Sequence, residues 1–139
     1  MIQLKLTHQR VAGAGDVPAV LAAGWEAFEL VAAIASASAG DSPGMYPAFT
    51  LAAGSAVTGR DALAFAPSMP PVPPDMGQNT PEPAGNVDEI ADALAGLASV
   101  LSGRLRRAAG LAATAGDRSA CEDAASEAEQ ITRLLGMGD

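Results

Sequence analysis

Two pairs of carboxylates stand at helical spacing, Glu26 with Glu29 and Glu89 with Asp92. Residues three apart lie on one face of a helix, so each pair can aim its oxygens at one point. Two such helices side by side would offer the all-oxygen ligand set that a divalent cation such as magnesium takes. His8 is the single histidine, which excludes a metal site built from several imidazoles. It also excludes a di-iron carboxylate bundle, whose chemistry uses two Glu-x-x-His pairs. A catalytic triad would require His8 to meet a serine from an N-terminal arm, so a solvated arm residue is the favoured reading. Cys121, the single cysteine, has no cationic neighbour in sequence to lower its pKa, and Glu122 and Asp123 beside it would raise it. We expect it to act as a small buried apolar residue.

Glu26-Ala-Phe-Glu29 and Glu89-Ile-Ala-Asp92 resemble the ExxE and ExxD motifs with which the all-α nucleotide pyrophosphohydrolases hold magnesium. The likeness covers these four residues only. Trp25 stands where that family carries a further leading Glu, and a whole helix and a spacer separate the two pairs. Glu26 and Glu29 fall outside the main apolar face of their helix, and Glu89 and Asp92 fall away from a Leu stripe, so the four should not converge inside a bundle. A solvated helix face and N-terminal dipole acids are the expected roles.

The remaining motifs are weaker. Gly13-Ala-Gly15, Gly54, Gly59 and Gly103 form neither a GxGxxG nor a Walker pattern, so no glycine loop is set to cradle a phosphate. Arg104, Arg106 and Arg107 are the one basic cluster. They could meet an anion or an acidic partner, but pairing with Asp88, Asp92, Glu122 or Glu129 along or across helices is favoured. Trp25 with Phe28 and Tyr46 with Phe49 form two aromatic pairs near helix ends, each a candidate pocket wall or interface anchor and more simply core.

Composition sets the outer limits. A chain of 139 residues, 49% hydrophobic, is long enough for one core. Only 4% is aromatic and 32 residues are alanine, so each core position buries little area, and helices must approach closely to gain packing energy. A thin core of this kind gains from a partner. A net charge of −8 and a pI near 4.4 argue against nucleic acid or an anionic membrane as the main partner. The first ten residues contain no apolar run of a signal peptide, and the longest apolar-looking stretch, residues 30–39, is too short and too rich in Ala and Ser to span a bilayer. These features predict a cytoplasmic protein.

Seven of the ten prolines fall within residues 67–83 and divide the chain. Proline lacks a backbone donor and disfavours helix in the residue before it, so one helix should end at Ala66 and nothing regular should resume before Asn86. Pro-Pro-Val-Pro-Pro, residues 70–74, could enter an aromatic groove elsewhere, but a spacer is the simpler account.

Before the spacer, a first helix should be capped by Asp16, carry Pro18 in its first turn and fail at Gly40-Asp41-Ser42-Pro43. At about 100° per residue, Val17, Val20, Leu21, Gly24, Trp25, Phe28, Val31 and Ala35 share one face, while Leu30 and Ile34 form another. Burial from two sides follows, by other helices or by a second copy. A second helix, starting at residues 43–47 and running to Ala66, places Met45, Phe49, Ala52, Ala56 and Leu63 on one side and Leu51, Thr58 and Phe65 on a second line. Its small middle implies a close neighbour or a bend at Gly54 or Gly59.

After the spacer, Asn86 and Glu89 cap a helix whose Ile90, Leu94, Leu97, Leu101, Leu105, Ala108 and Ala112 recur at spacings of three and four. A turn at residues 114–117 leads to a last helix burying Cys121, Ala124, Ala128, Ile131 and Leu135 and stopping at Gly136. Ile2, Leu4 and Leu6 alternate as in a strand, with no second strand to pair, and are expected as an extended arm or a helix extension.

The expected fold is all-α: one domain with an arm (1–15), a first helical hairpin (16–66), a Pro-rich linker (67–85) and a second hairpin (86–136), closing into a four-helix bundle with a long crossover. The expected function is a non-catalytic helical adaptor or regulatory protein, cofactor-free, that binds itself as a homodimer or another helical protein through apolar faces. Trp25, Phe28, Leu30, Ile34, Tyr46 and Phe49 are the candidate interface or pocket residues. The alternative is a small-molecule binder, or a magnesium-dependent pyrophosphohydrolase-like enzyme using Glu26, Glu29, Glu89 and Asp92.

Overall fold

A computed structural model describes residues 2–71 and 86–136 of the chain. The described residues form α1 (Ile2–Gly13), α2 (Val17–Asp41), a 3₁₀ turn (Pro43–Met45), α3 (Tyr46–Ala64), α4 (Val87–Leu111) and α5 (Ala115–Gly136), with no strand among them. The fold is all-α.

Each helix start has a local cause. Asp16 accepts a hydrogen bond from the Ala19 N–H at 2.8 Å, which satisfies one orphan donor of α2. Asn86 accepts from the Glu89 N–H at 2.9 Å, and its amide nitrogen donates to Glu89 Oε1 at 3.2 Å, so the two side chains tie the first turn of α4. Thr114 Oγ1 accepts from the Asp117 N–H at 3.1 Å at the start of α5. Helix α2 ends at Asp41 because Ser42 turns to extended geometry ahead of Pro43. Helix α3 ends at Ala64, two residues short of the position expected, as the N–H groups of Phe65 and Ala66 turn to the Ala62 and Leu63 carbonyls before Pro67.

Two helices have three helical neighbours each: α2 lies against α1, α3 and α4, and α4 lies against α1, α2 and α5, while α3 also packs on α5. Two glycines mark where the helices close on one another. A Cβ at Gly24 would meet Leu63 Cδ1 at 2.9 Å and Leu101 Cδ1 at 3.4 Å, so α2, α3 and α4 converge there. A Cβ at Gly59 would meet the Phe28 ring at 2.5 Å, so the ring fills the space that this glycine leaves. The small middle of α3 therefore serves close approach at Gly59, and the helix runs unbroken. Gly54 faces open space.

Both apolar stripes after the spacer are buried as their spacing requires: Ile90 through Ala112 on α4, and Cys121 through Leu135 on α5. On α2, Leu30 and Ile34 are buried together with Phe28 and Val31 within the chain itself. Burial from two sides is thus supplied by other helices of the same copy.

Two expectations need correction. Residues 1–15 are no extended arm: α1 buries Leu4, Thr7 and Val11, and packs on α2 and α4. Those three positions have helical spacing, but a threonine, 1% exposed, stands at the middle one, so the apolar pattern is broken in sequence. The apolar stretch is also longer than residues 30–39. The 25 residues of α2 include a window of mean hydropathy 1.6, long and apolar enough to cross a membrane by length and composition. Part of that helix is buried against its neighbours, and it carries Glu26 and Glu29. Most of the segment expected as a Pro-rich linker and crossover, residues 72–85, lies outside the described residues.

Candidate functional site

The four carboxylates are held apart by separate partners. Glu26 accepts an ion pair from Arg10 of α1, and Glu29 accepts one from Arg60 of α3. Arg60 also reaches Asp61 Oδ1 at 3.0 Å, and its hydrogen bond to Glu29 first of all raises its pKa. Each pair thereby clips α2 to a neighbouring helix. Glu89 is engaged in the cap with Asn86, and Asp92 is exposed. No group of three or more Asp, Glu, His or Cys side chains gathers at one point among the described residues.

The arginine cluster separates in the same way. Arg106 donates to Glu129 at 2.9 Å and binds α4 to α5, an across-helix pair that lowers the Glu129 pKa through the Arg106 hydrogen bond. Arg104 and Arg107 border a small depression with the α1–α2 junction, beside Asp16 and Leu111. Cys121 has no exposed surface, and its thiol is pushed up to about 11 by burial first and then by Asp117 and Glu122. Asp117, one helical turn before it, acts where Asp123 was expected.

Of the candidate interface residues, Phe28, Leu30, Ile34 and Phe49 are core, and Trp25 is partly buried. Tyr46 is 55% exposed. The two aromatic pairs are each split, one ring inside and one nearer solvent: partners three residues apart stand about 60° apart around the helix, which leaves Trp25 and Tyr46 at the edge of the buried face that holds Phe28 and Phe49. Most of the large apolar residues left exposed stand on α3 or directly after it, and of these only Val57 was not singled out in the sequence. Its outward face bears Tyr46, Leu51 and Val57, and Phe65 follows directly, 85% exposed. The line Leu51, Thr58, Phe65 was legible as a second stripe; what covers it was not.

A groove runs along each flank of this face, of about 420 Å³ on the α2 side and about 480 Å³ on the α5 side. On the α2 side it is lined by Ser36, Ala39, Gly40, Tyr46, Thr50, Ala53, Gly54 and Val57. Of the candidate interface or pocket residues it contains Tyr46 only; Trp25, Phe28, Leu30, Ile34 and Phe49 do not line it. The groove on the α5 side is lined by Thr58, Asp61, Ala62, Phe65, Asp123, Ser126 and Glu127. One flank is uncharged and the other acidic.

An unpredicted polar contact fixes the exit from α3. Ser68 donates from its backbone N–H to Asp117 Oδ1 at 2.9 Å and from its hydroxyl to Oδ2 at 2.6 Å. Asp117 is 2% exposed, and these two bonds hold its carboxyl below the ordinary aspartate range. Compared with protein-family models, curated proteins and solved structures, the chain matches none of them.

Proposed function

We propose that this chain is a non-catalytic helical interaction protein, an adaptor or regulatory subunit of the cytoplasm that pairs with a second copy of itself. In this reading α2 to α5 make a four-helix bundle, α1 braces the α2–α4 side, and residues 67–85 form the crossover between hairpins. The observation that carries the proposal is the outward face of α3. Tyr46, Leu51 and Val57 stand on it, and Asp61 is the one charge on that side. A chain of net charge −8 repels its copies over most of its surface. Two α3 faces can meet without that repulsion and remove apolar side chains from water, at roughly 25 cal/mol per Å².

Catalysis has less support. Of the carboxylates that would hold magnesium, Glu26 and Glu29 are engaged with arginines, Glu89 with a cap, and Asp92 stands apart from them, while Cys121 is a buried neutral thiol. No cofactor enters this reading.

Light scattering across a concentration series tests it. The expected result is a dimer mass that Leu51→Lys with Val57→Lys converts to monomer while the helical signal stays unchanged. A monomer at every concentration would end the homodimer reading, and magnesium-dependent pyrophosphate release from nucleotides, lost in Glu26→Gln, would end the non-catalytic one.

A further inference from the structure

We propose that the groove between α3 and α5 docks a cationic amphipathic helix of a partner protein, with Phe65 as the apolar contact and Asp61, Asp123 and Glu127 as the charge partners. This rests on the non-catalytic interaction reading but does not require self-association; the groove adjoins the outward face of α3, and Asp61 borders both.

Phe65 is 85% exposed, at the edge of a groove of about 480 Å³. A large ring left in water beside a cleft is an informative exposure, unlike scattered small apolar residues. No basic side chain lines this cleft, and three carboxylates do. Asp61 shares Oδ1 with Arg60, which Glu29 holds on the α2 side. Asp123 and Glu127 enter no ion pair among the described residues, and Glu127 Oε2 is shut off from solvent without a hydrogen-bond partner. An anionic oxygen in that position is costly until a donor reaches it.

Charge decides the occupant. A neutral apolar peptide would desolvate Asp123 and Glu127 with no return, and a second acidic groove would repel this one. Lys or Arg side chains supply both the donors and the countercharge. Spacing decides its shape. Asp123 and Glu127 stand four residues apart, as do Asp61 and Phe65, so each wall repeats once in about 6 Å. Cationic side chains one turn apart on an incoming helix match that repeat, with an apolar residue between them for Phe65.

The test is fluorescence anisotropy with a labelled amphipathic helix of about 18 Leu and Lys residues, some five turns, and its Leu/Glu counterpart. The Leu/Lys helix should bind and the Leu/Glu helix should not. Phe65→Ala should weaken binding about tenfold or more, and so should Asp123→Asn with Glu127→Gln. Asp41→Asn with Asp88→Asn removes the same charge from exposed positions on α2 and α4, away from the groove, and should change binding by about twofold or less. No binding, equal loss in the two double variants, or indifference to Phe65→Ala would overturn the proposal. Displacement of the peptide by spermine regardless of Phe65 would also overturn it, in favour of a small polycation. A chain that is monomeric by light scattering yet binds the peptide in this pattern would end the homodimer reading alone.

Discussion

Ser68 and Asp117 lie 49 positions apart in sequence, yet both oxygens of the Asp117 carboxylate are occupied by Ser68, one by its N–H and one by its hydroxyl. The same region is closed by contact, since a Cβ at Gly116 would meet Pro67 Cγ at 2.9 Å. The chain leaving α3 is thereby fastened to the first turn of α5 at the very start of the proline run. The α3–α5 packing that results is also what forms the acidic groove.

Asp117→Asn should lower stability by about 2 kcal/mol, the scale for losing hydrogen bonds to a charged acceptor. The direction with pH follows from the lowered carboxyl. Its contribution is present above the unfolded aspartate value of about 4 and is lost as pH falls through the lower folded value. Urea unfolding between about pH 7 and pH 3 should therefore show the gap between wild type and Asp117→Asn closing on the acid side. A constant gap would mean that the carboxylate charge is not what Ser68 reads.

Gly59→Ala and Gly54→Ala should move stability in opposite directions. The first puts a methyl group within 2.5–2.9 Å of Phe28 ring atoms, and overpacking of this kind costs about 1–3 kcal/mol. The second enters open space on the same helix and should gain up to about 1 kcal/mol from helix propensity. Thermal melts of the two variants check this, and an unchanged or raised melting temperature in Gly59→Ala would show that the Phe28 ring does not fill the space at that glycine.

Cys121 should resist thiol reagents in the folded protein and react on unfolding, since it is fully buried and its pKa is raised to about 11. A thiol raised in this way adds stability below its unfolded value of about 8.5, and that stability is lost as pH rises through the folded value. Cys121→Ser, which buries a hydroxyl among alanines, should cost about 1–3 kcal/mol, more than Cys121→Ala. Rapid native labelling near neutral pH would contradict the burial.

Leu4→Ala should cost about 2–3 kcal/mol in denaturant unfolding, the ordinary cost of truncating a buried leucine. Leu6→Ala on the same helix is exposed and should cost under about 0.5 kcal/mol. Equal, negligible effects at both positions would restore the view of these residues as an unpacked arm.

The sequence by itself determined what depends on neighbours a few residues away. Asp16 and Asn86 capped their helices, Pro43 and Pro67 ended theirs, and the Leu stripe of α4 and the Ala stripe of α5 turned inward, because caps, breakers and periodicity act over one or two turns. Only the tertiary structure decided which surfaces were left over. Leu30 and Leu51 read alike as second-stripe residues, yet Leu30 is covered by its own chain and Leu51 is 59% exposed. The local pattern is the same in both; the difference is which helices lie alongside, since α2 is surrounded by α1, α3 and α4 while α3, among the described residues, has helices on two flanks and none outward. Thr7 entered the core, and Ser68 found Asp117, for the same reason: a polar residue's partner across 49 positions is set by how helices pack, and no spacing rule along the chain encodes it. The carboxylates of α2 looked like ligands on spacing alone, and became helix clips once Arg10 and Arg60 were brought beside them.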